Sequence, residues 1–136
     1  MRTIFFGLVF LCCASWSFSQ DTLSVRNYCE GEVLDFAEVE PMFPDGYQAL
    51  SDFIKSSTVY PEEAIQNREQ GTVYVRFVVN VDGSICNIEV MKGVSPNLDK
   101  EAVRVVSIMP KWIPAEQGGK LVRCAYQVPI KFVLSR

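Results

Sequence analysis

The stretch that decides the fold is VRCAYQVPIKFVL, residues 122–134. Its even positions are all apolar or cysteine, whereas its odd positions include Arg123, Gln127 and Lys131. Because successive side chains of a β-strand point to opposite faces of the sheet, this pattern predicts a strand with one buried and one wetter face. Pro129 has no backbone N–H for a ladder, so we expect this strand at the edge of its sheet, where it can pair with another chain.

The earlier part of the chain supplies two partner strands. From Gly71 to Val81 the odd positions are apolar, which predicts a second alternating strand. Asp82-Gly83 follows as a hairpin turn signal. On the return strand we expect Cys86, Ile88 and Val90 to share one face.

Three helices complete the prediction. Helical spacing indicates one from about Gly46 to Lys55, a proline favours a second start at Pro61, and Ser95-Pro96 opens a third that ends at Pro110. The predicted fold class is therefore α+β. We expect a small antiparallel three-stranded sheet, built from a hairpin, a crossover helix and an edge strand, with helices packed on one face.

Residues 1–19 are typical of a secretory signal peptide, with one positive charge, a short apolar run and small residues at Ser17 and Ser19. The alternative is a membrane anchor, but the apolar run has roughly 15 residues where a spanning helix needs about 20. We expect cleavage before Gln20. An acidic extended lead-in is then expected over residues 20–42, and the folded domain over residues 43–136.

Composition argues against several classes of function. The net charge is −3 and no basic stripe with interleaved aromatic residues occurs, so we expect no nucleic-acid partner. The chain has no histidine, which removes Ser-His-Asp and Cys-His catalysis and the commonest zinc ligand. After cleavage, Cys29, Cys86 and Cys124 remain, without metal-site spacing, and an odd number leaves at least one outside any intramolecular disulfide. We expect Cys86 and Cys124 to be small buried residues, and we expect no catalytic residue, cofactor or metal.

Six short motifs occur in a fixed order along the chain. They are Tyr60-Pro61-x-x-Ala64, Gly71-x-Val73-x-Val75-x-Phe77-x-Val79, Asp82-Gly83, Leu98-Asp99-x-Glu101-Ala102, Met109-Pro110-x-Trp112-x-Pro114 and Tyr126-x-x-Pro129-Ile130-x-Phe132. Together they resemble the C-terminal domain of TonB family proteins, over about Phe43 to Leu134. The resemblance implies a non-enzymatic periplasmic domain that binds the N-terminal peptide of an outer-membrane receptor and transmits force from an inner-membrane motor.

In that family the receptor peptide pairs with the last strand. Carried onto this sequence, the resemblance implies a partner contact along Arg123 to Lys131. Tyr60 is a further candidate for partner binding, because its ring either packs under the sheet or lines a partner groove. The implied strand residues are Arg123, Ala125, Gln127, Pro129 and Lys131. Trp112 presents a similar choice between a core plug, which its flanking prolines favour, and a partner anchor.

The chain also departs from a complete TonB protein. Its leader is predicted to be cleaved, and its spacer from Gln20 to Met42 is not proline-rich and would reach only about 80 Å when fully extended. We therefore expect a free-standing exported domain in the periplasm. Two alternatives stay open: a module that self-pairs into a homodimer through the same edge, and, if the leader is retained, a short energy transducer anchored in the inner membrane. Membrane contact is expected only in the second case.

Overall fold

Three helices and five strands follow one another along residues 31–135, the part of the chain that the computed structural model describes. They are α1 (Tyr47–Ser57), α2 (Glu62–Gln66), β1 (Gly71–Val79), β2 (Ile85–Lys92), α3 (Pro96–Ser107), β3 (Ala115–Gln117), β4 (Lys120–Val122) and β5 (Cys124–Phe132). The expected signal peptide and the first part of the lead-in, including Cys29, lie outside the described residues.

The main sheet has the order β2-β1-β5, and both pairings are antiparallel. This confirms the predicted α+β class and the edge position of β5. The β1–β5 ladder runs without interruption from Gly71 opposite Phe132 to Val79 opposite Cys124. Pro129 lies opposite Tyr74 in this ladder. A second, two-stranded sheet is formed by β3 and β4.

The core lies between one face of the sheet and the helices. Its members come from alternate positions of β1 and β5 and from one side of α3, as the sequence pattern predicts. The core residues contributed by these three elements are Val73, Val75, Phe77, Val79, Leu98, Ala102, Val105, Val106, Val128, Ile130 and Phe132. Helix α3 begins as predicted, because the Ser95 hydroxyl accepts a hydrogen bond from the Leu98 N–H at 3.3 Å.

Trp112 is a core residue. Its side chain is almost fully buried, and its ring centroid lies 5.6 Å from that of Phe43, 5.2 Å from that of Phe77 and 4.9 Å from that of Tyr126. Gly83 packs tightly against the backbone of the same residue: a Cβ on Gly83 would overlap the Trp112 carbonyl, and φ of Gly83 is 89°. The hairpin turn therefore requires glycine for both space and conformation.

The prediction that Cys86 shares a face with Ile88 and Val90 is wrong. The β1–β2 register shifts between Arg76 and Val78, and Asn87 has a positive φ of 54° at this point. Such a β-bulge inserts one extra residue, which reverses the alternation on one side of it. Cys86 consequently lies opposite Val78, while Ile88 and Val90 pack against the core.

Cys86 and Cys124 are both buried, as expected, but in different surroundings. The Cys86 sulfur lies 3.6 Å from the Asn80 amide nitrogen and 3.6 Å from an Arg123 guanidinium nitrogen. Cys124 lies opposite Val79, and burial raises the pKa of its thiol, so the reactive thiolate is disfavoured there.

The described part of the lead-in lies along the domain. Leu34 forms two backbone hydrogen bonds with the start of β5, and further bridges join Val39 to Glu116 and Met42 to Ile113. Each of the last two bridges has hydrogen bonds in both directions. The predicted domain boundary before residue 43 therefore falls within a hydrogen-bonded segment.

Candidate functional site

The second half of β5 presents an open backbone edge. At the start of the strand, the Arg123 carbonyl accepts from the Leu34 N–H at 3.0 Å and the Ala125 N–H donates to the Leu34 carbonyl at 2.9 Å. These groups point away from β1, and the backbone of every second residue in a strand points the same way. The backbone groups of Gln127, Pro129 and Lys131 therefore also point outward.

Proline leaves a gap in this edge. Because Pro129 lacks an N–H, the outward donors between residues 127 and 131 are those of Gln127 and Lys131, whereas all three outward residues offer a carbonyl oxygen. Within the described residues, no backbone hydrogen bond outside the β1–β5 ladder engages these groups. A partner strand can therefore pair here if it tolerates one missing hydrogen bond.

An apolar groove of about 640 Å³ runs beside this edge, between α1 and β5. Helix α1 contributes Leu50 and Ile54 to its wall, and β5 contributes Val128 and Phe132. The last two belong to the core face of β5, so they extend the core to the surface at this point. A strand added to β5 could bury alternate side chains in this groove.

Tyr60 packs under the sheet and also reaches the groove. Its ring packs edge-on against Phe132 with a centroid separation of 5.6 Å, and it also lines the groove. Its hydroxyl donates to the Glu69 carbonyl. Partial burial and the nearby Glu69 charge raise the pKa of Tyr60, so its phenol stays protonated at neutral pH and keeps this bond.

The groove carries positive charge. Lys55, in the last turn of α1, and Lys131, near the end of β5, both line it, and none of residues 31–135 contributes a carboxylate to its lining. Neither lysine belongs to an ion pair within the described residues. Lys55 lies on the α1 side of the edge, whereas Lys131, between the core residues Ile130 and Phe132, points to the outer face of the sheet.

The opposite end of the groove is marked by two tyrosines. The hydroxyls of Tyr47 and Tyr126 lie 3.1 Å apart. Burial, followed by the hydrogen bond to Tyr47, raises the pKa of Tyr126 far above its ordinary value. Beyond this pair a second cleft is lined by the acidic residues Asp35 and Glu40.

The structure divides the predicted partner-binding residues into two groups. Gln127, Pro129 and Lys131 lie on the open part of the edge. Arg123 and Ala125 lie where Leu34 already pairs, and the Arg123 guanidinium donates to Asn80 Oδ1 and to the Gly31 carbonyl, both at 2.8 Å.

Sequence reasoning missed the contribution of α1 to the groove. Leu50 and Ile54 are one helical turn apart, a spacing that predicts a shared face but does not say which strand that face meets. It also missed the pairing of Leu34. The sequence predicts residues 20–42 only as an acidic extended lead-in and assigns none of them a partner.

Two further findings bear on the class of site. Among residues 31–135, no group of three or more histidine, cysteine, aspartate or glutamate side chains could hold a metal ion. Over the same range, no helix is long and apolar enough to cross a membrane.

The family model described as Gram-negative bacterial TonB protein C-terminal matches residues 56–134, which is more than half of the chain. The chain belongs to this family. This TonB C-terminal family is one of binding and transport modules, not of enzymes, and is associated with the cell envelope. No match was found among curated proteins.

The solved C-terminal domain of Helicobacter pylori TonB has the same fold. The NMR structure of Helicobacter pylori TonB residues 179–285 is 26% identical, with a TM-score of 0.50, over 65% of this chain and 80% of that one. A shorter structure of the same domain, residues 194–285, is 24% identical with a TM-score of 0.50, over 65% of this chain and 94% of that one. The Pseudomonas aeruginosa TonB domain is 27% identical over 77% of this chain and 97% of that one, with a TM-score of 0.43.

Proposed function

We propose that this TonB-family chain is a periplasmic binding module that pairs by strand addition with the N-terminal peptide of an outer-membrane TonB-dependent receptor. The observation that carries the proposal is the open edge of β5, with outward N–H groups at Gln127 and Lys131 beside an apolar groove. Family membership supports the same role in transport across the outer membrane.

The physical basis of such pairing is β-augmentation. Backbone hydrogen bonds from an added strand supply affinity that depends little on sequence, and alternate side chains in the groove supply specificity. The receptor peptide would meet Leu50 and Ile54 on one side. Its other side chains would lie near Lys131.

The proposal includes an exported, free-standing form of the domain. We propose that residues 1–19 are removed as a signal peptide, that residues 20–42 form the lead-in and that residues 43–136 form the binding domain. Mass spectrometry of the protein extracted from cells tests this directly. A mature chain that begins at Gln20 supports the proposal, whereas a retained leader in the inner-membrane fraction would favour the anchored transducer.

The central test compares two substitutions at one position. Gln127→Pro removes an outward N–H, and Gln127→Ala removes the side chain but keeps the N–H. Each mature protein is titrated with synthetic N-terminal peptides of TonB-dependent receptors. We expect Gln127→Pro to weaken binding about tenfold, as loss of one hydrogen bond of about 1.4 kcal/mol implies, and Gln127→Ala to bind nearly as the unmodified protein does. Equal binding by all three proteins would exclude pairing at this edge.

The same open edge also favours a second candidate function, self-association. Two copies of β5 could pair with each other and form a symmetric dimer. Sedimentation of the mature chain distinguishes the two functions. A dimer that dissociates on Gln127→Pro, together with no binding of receptor peptides, would establish the structural role in place of the receptor-binding role.

A further inference from the structure

Three aromatic rings and two carboxylates line one cleft of about 510 Å³ near the start of β5. The rings are those of Phe36, Tyr47 and Tyr126, and the carboxylates are those of Asp35 and Glu40. The face of an aromatic ring attracts a cation, and a carboxylate pairs with one. The lining therefore suits an organic cation, and it is built from side chains rather than from the open backbone of the strand.

Glu40 supplies the negative charge of this cleft. Asp35 is paired with Arg76 at 2.7 Å, so its charge is largely offset. Glu40, in contrast, forms no ion pair within the part of the chain that the structure describes. The lead-in from residue 31 to residue 42 contains no lysine or arginine that could offset it.

Backbone hydrogen bonds of the lead-in hold Glu40 in place. Val39, which precedes it, exchanges bonds with Glu116 at 3.0 and 2.9 Å. Met42, two residues further along, exchanges bonds with Ile113 at 3.0 and 2.7 Å. The carboxylate is therefore presented from a fixed segment.

The negative charge of the cleft acts on neighbouring groups. Burial is the main cause of the raised pKa of the Cys124 thiol, and the charges of Glu40 and then Asp35 raise it further. Glu40 also raises the pKa of Tyr126, after burial and the contact with Tyr47. A carboxylate whose field reaches two partly buried groups is incompletely screened by water. It attracts a cation more strongly than a carboxylate on an open surface does.

Two of the three rings stand at the rim of the cleft. Phe36 is 84% exposed and Tyr47 is 70% exposed. The Tyr47 hydroxyl lies 3.1 Å from that of Tyr126, which fixes the position of these two rings relative to each other. A small cation on such a rim stays in water and gains little, whereas a protein that covers the cleft excludes water and strengthens both the ring and the carboxylate contact. The occupant that fits is therefore a side chain of a partner protein.

We propose that this cleft receives an arginine side chain from a basic segment of a partner protein. Glu40 is the carboxylate that pairs with the guanidinium, and Phe36 and Tyr47 are the rings on which it stacks. A planar guanidinium can stack on a ring and donate two parallel hydrogen bonds to one carboxylate, which the ammonium group of lysine cannot do. The inference goes beyond the proposed function, because it adds a side-chain contact that needs no strand pairing.

The cleft is tested by NMR titration of the mature chain with an acetylated and amidated peptide, Gly-Ser-Arg-Ser-Gly. We expect saturable shifts at Phe36, Glu40 and Tyr47, with a dissociation constant in the millimolar range. The same peptide with citrulline keeps the planar group without its charge and should bind about fivefold more weakly. Equal binding of the arginine and citrulline peptides would overturn the inference, as would the absence of any saturable shift.

Three variants test which side chains bind the arginine. Glu40→Gln removes the charge and keeps the shape, and it should weaken binding of the arginine peptide about fivefold. Glu32→Gln removes a charge of the same lead-in outside the cleft, so it is the matched control and should leave the affinity unchanged. Phe36→Leu keeps an apolar side chain without the ring and should weaken binding about threefold. Equal losses in Glu40→Gln and Glu32→Gln, or unchanged binding by Phe36→Leu, would overturn the inference.

Gln127→Pro separates this contact from strand pairing. We expect the variant to bind the arginine peptide as the unmodified protein does, and Gln127→Ala controls for the Gln127 side chain, which also lines the cleft. Equal losses in Gln127→Pro and Glu40→Gln would mean that the arginine peptide pairs with the backbone edge. That result would overturn this inference and leave the receptor-binding role intact. Binding of the arginine peptide together with failure of receptor peptides would support this inference and overturn the proposed function.

Discussion

The two edges of the main sheet, β2 and β5, are built in opposite ways. The β2 ladder shifts register twice, between Tyr74 and Val75 and between Arg76 and Val78, whereas the β5 ladder is continuous. Bulges twist an edge strand and interrupt the row of backbone groups that another strand would need. This sheet therefore protects one edge against added strands and keeps the other regular.

The difference extends to burial. The alternate side chains of β5 are buried up to Phe132, apart from half-buried Tyr126, while most of β2 is half-buried or exposed. A strand that is anchored through one face can leave its outer backbone groups open without loss of the fold. The regular edge is therefore also the better anchored one.

We expect the largest effect when a buried side chain that anchors β5 to the core is removed. Phe132 is 1% exposed, so Phe132→Ala should lower the free energy of unfolding by about 3–5 kcal/mol through lost burial and a cavity. Met91 on β2 is 52% exposed, and Met91→Ala should change the free energy of unfolding by less than about 0.5 kcal/mol. Urea unfolding measures both. Similar losses in the two variants would mean that the two edge strands are equally anchored.

The next prediction concerns a contact on α3, away from both edges of the sheet, that we expect to weaken in acid. The Glu101 carboxylate on α3 accepts from Arg104 at 2.7 and 2.8 Å and from the Val59 N–H at 2.8 Å. These bonds, that from Arg104 first, hold the pKa of Glu101 below its ordinary value of 4.5. A lowered pKa in the folded state adds stability that is present above the unfolded pKa and is lost as pH falls through the folded one.

Unfolding free energy should therefore decrease as the pH falls below about 4.5. Glu101→Gln should remove part of this decrease and cost about 1–3 kcal/mol at neutral pH. Urea titrations of both proteins between neutral and acidic pH measure this loss of stability. A variant that keeps the full acid response would place the titrating contact elsewhere.

A smaller effect is expected at the β-bulge of β2, which contains Asn87. Asn87 has φ of 54°, a conformation that a β-branched side chain disfavours. Asn87→Val should lower stability by about 1–2 kcal/mol, whereas Asn87→Gly should be close to neutral. Thermal unfolding compares the two. A stable valine variant would show that the bulge is not required at this position.

The smallest effect concerns Arg76, which pairs with Asp35 on the β5 side and with Glu89 on the β2 side. Asp35→Asn removes the 2.7 Å pair with an exposed side chain and should cost less than about 1 kcal/mol, but it should speed exchange of the Leu34 amide. Glu89→Gln is the matched control on β2, where the pair is longer at 3.8 Å. If both variants change Leu34 exchange equally, Asp35 does not fasten the lead-in.

Much of the fold could be predicted because its signals are local. The alternation around Pro129 indicated an edge strand, Asp82-Gly83 indicated the hairpin, and the Ser95 cap indicated the start of α3, all as observed. Cys86 was placed on the wrong face because a bulge at Asn87 depends on how β2 meets β1. A pattern of two-residue period contains no sign of an inserted residue.

From the amino-acid sequence one can predict the family, the three-stranded sheet, the buried face of β5 and its place at the edge. Each of these follows from periodicity, proline chemistry or motif order over neighbouring residues. Two features depend on tertiary contacts: α1 lies over β5 and forms the groove, and Leu34 pairs with Arg123 and Ala125 while the edge from Gln127 onward stays open. Those features are contacts between residues far apart in sequence, and either partner alone shows no pattern that specifies the other.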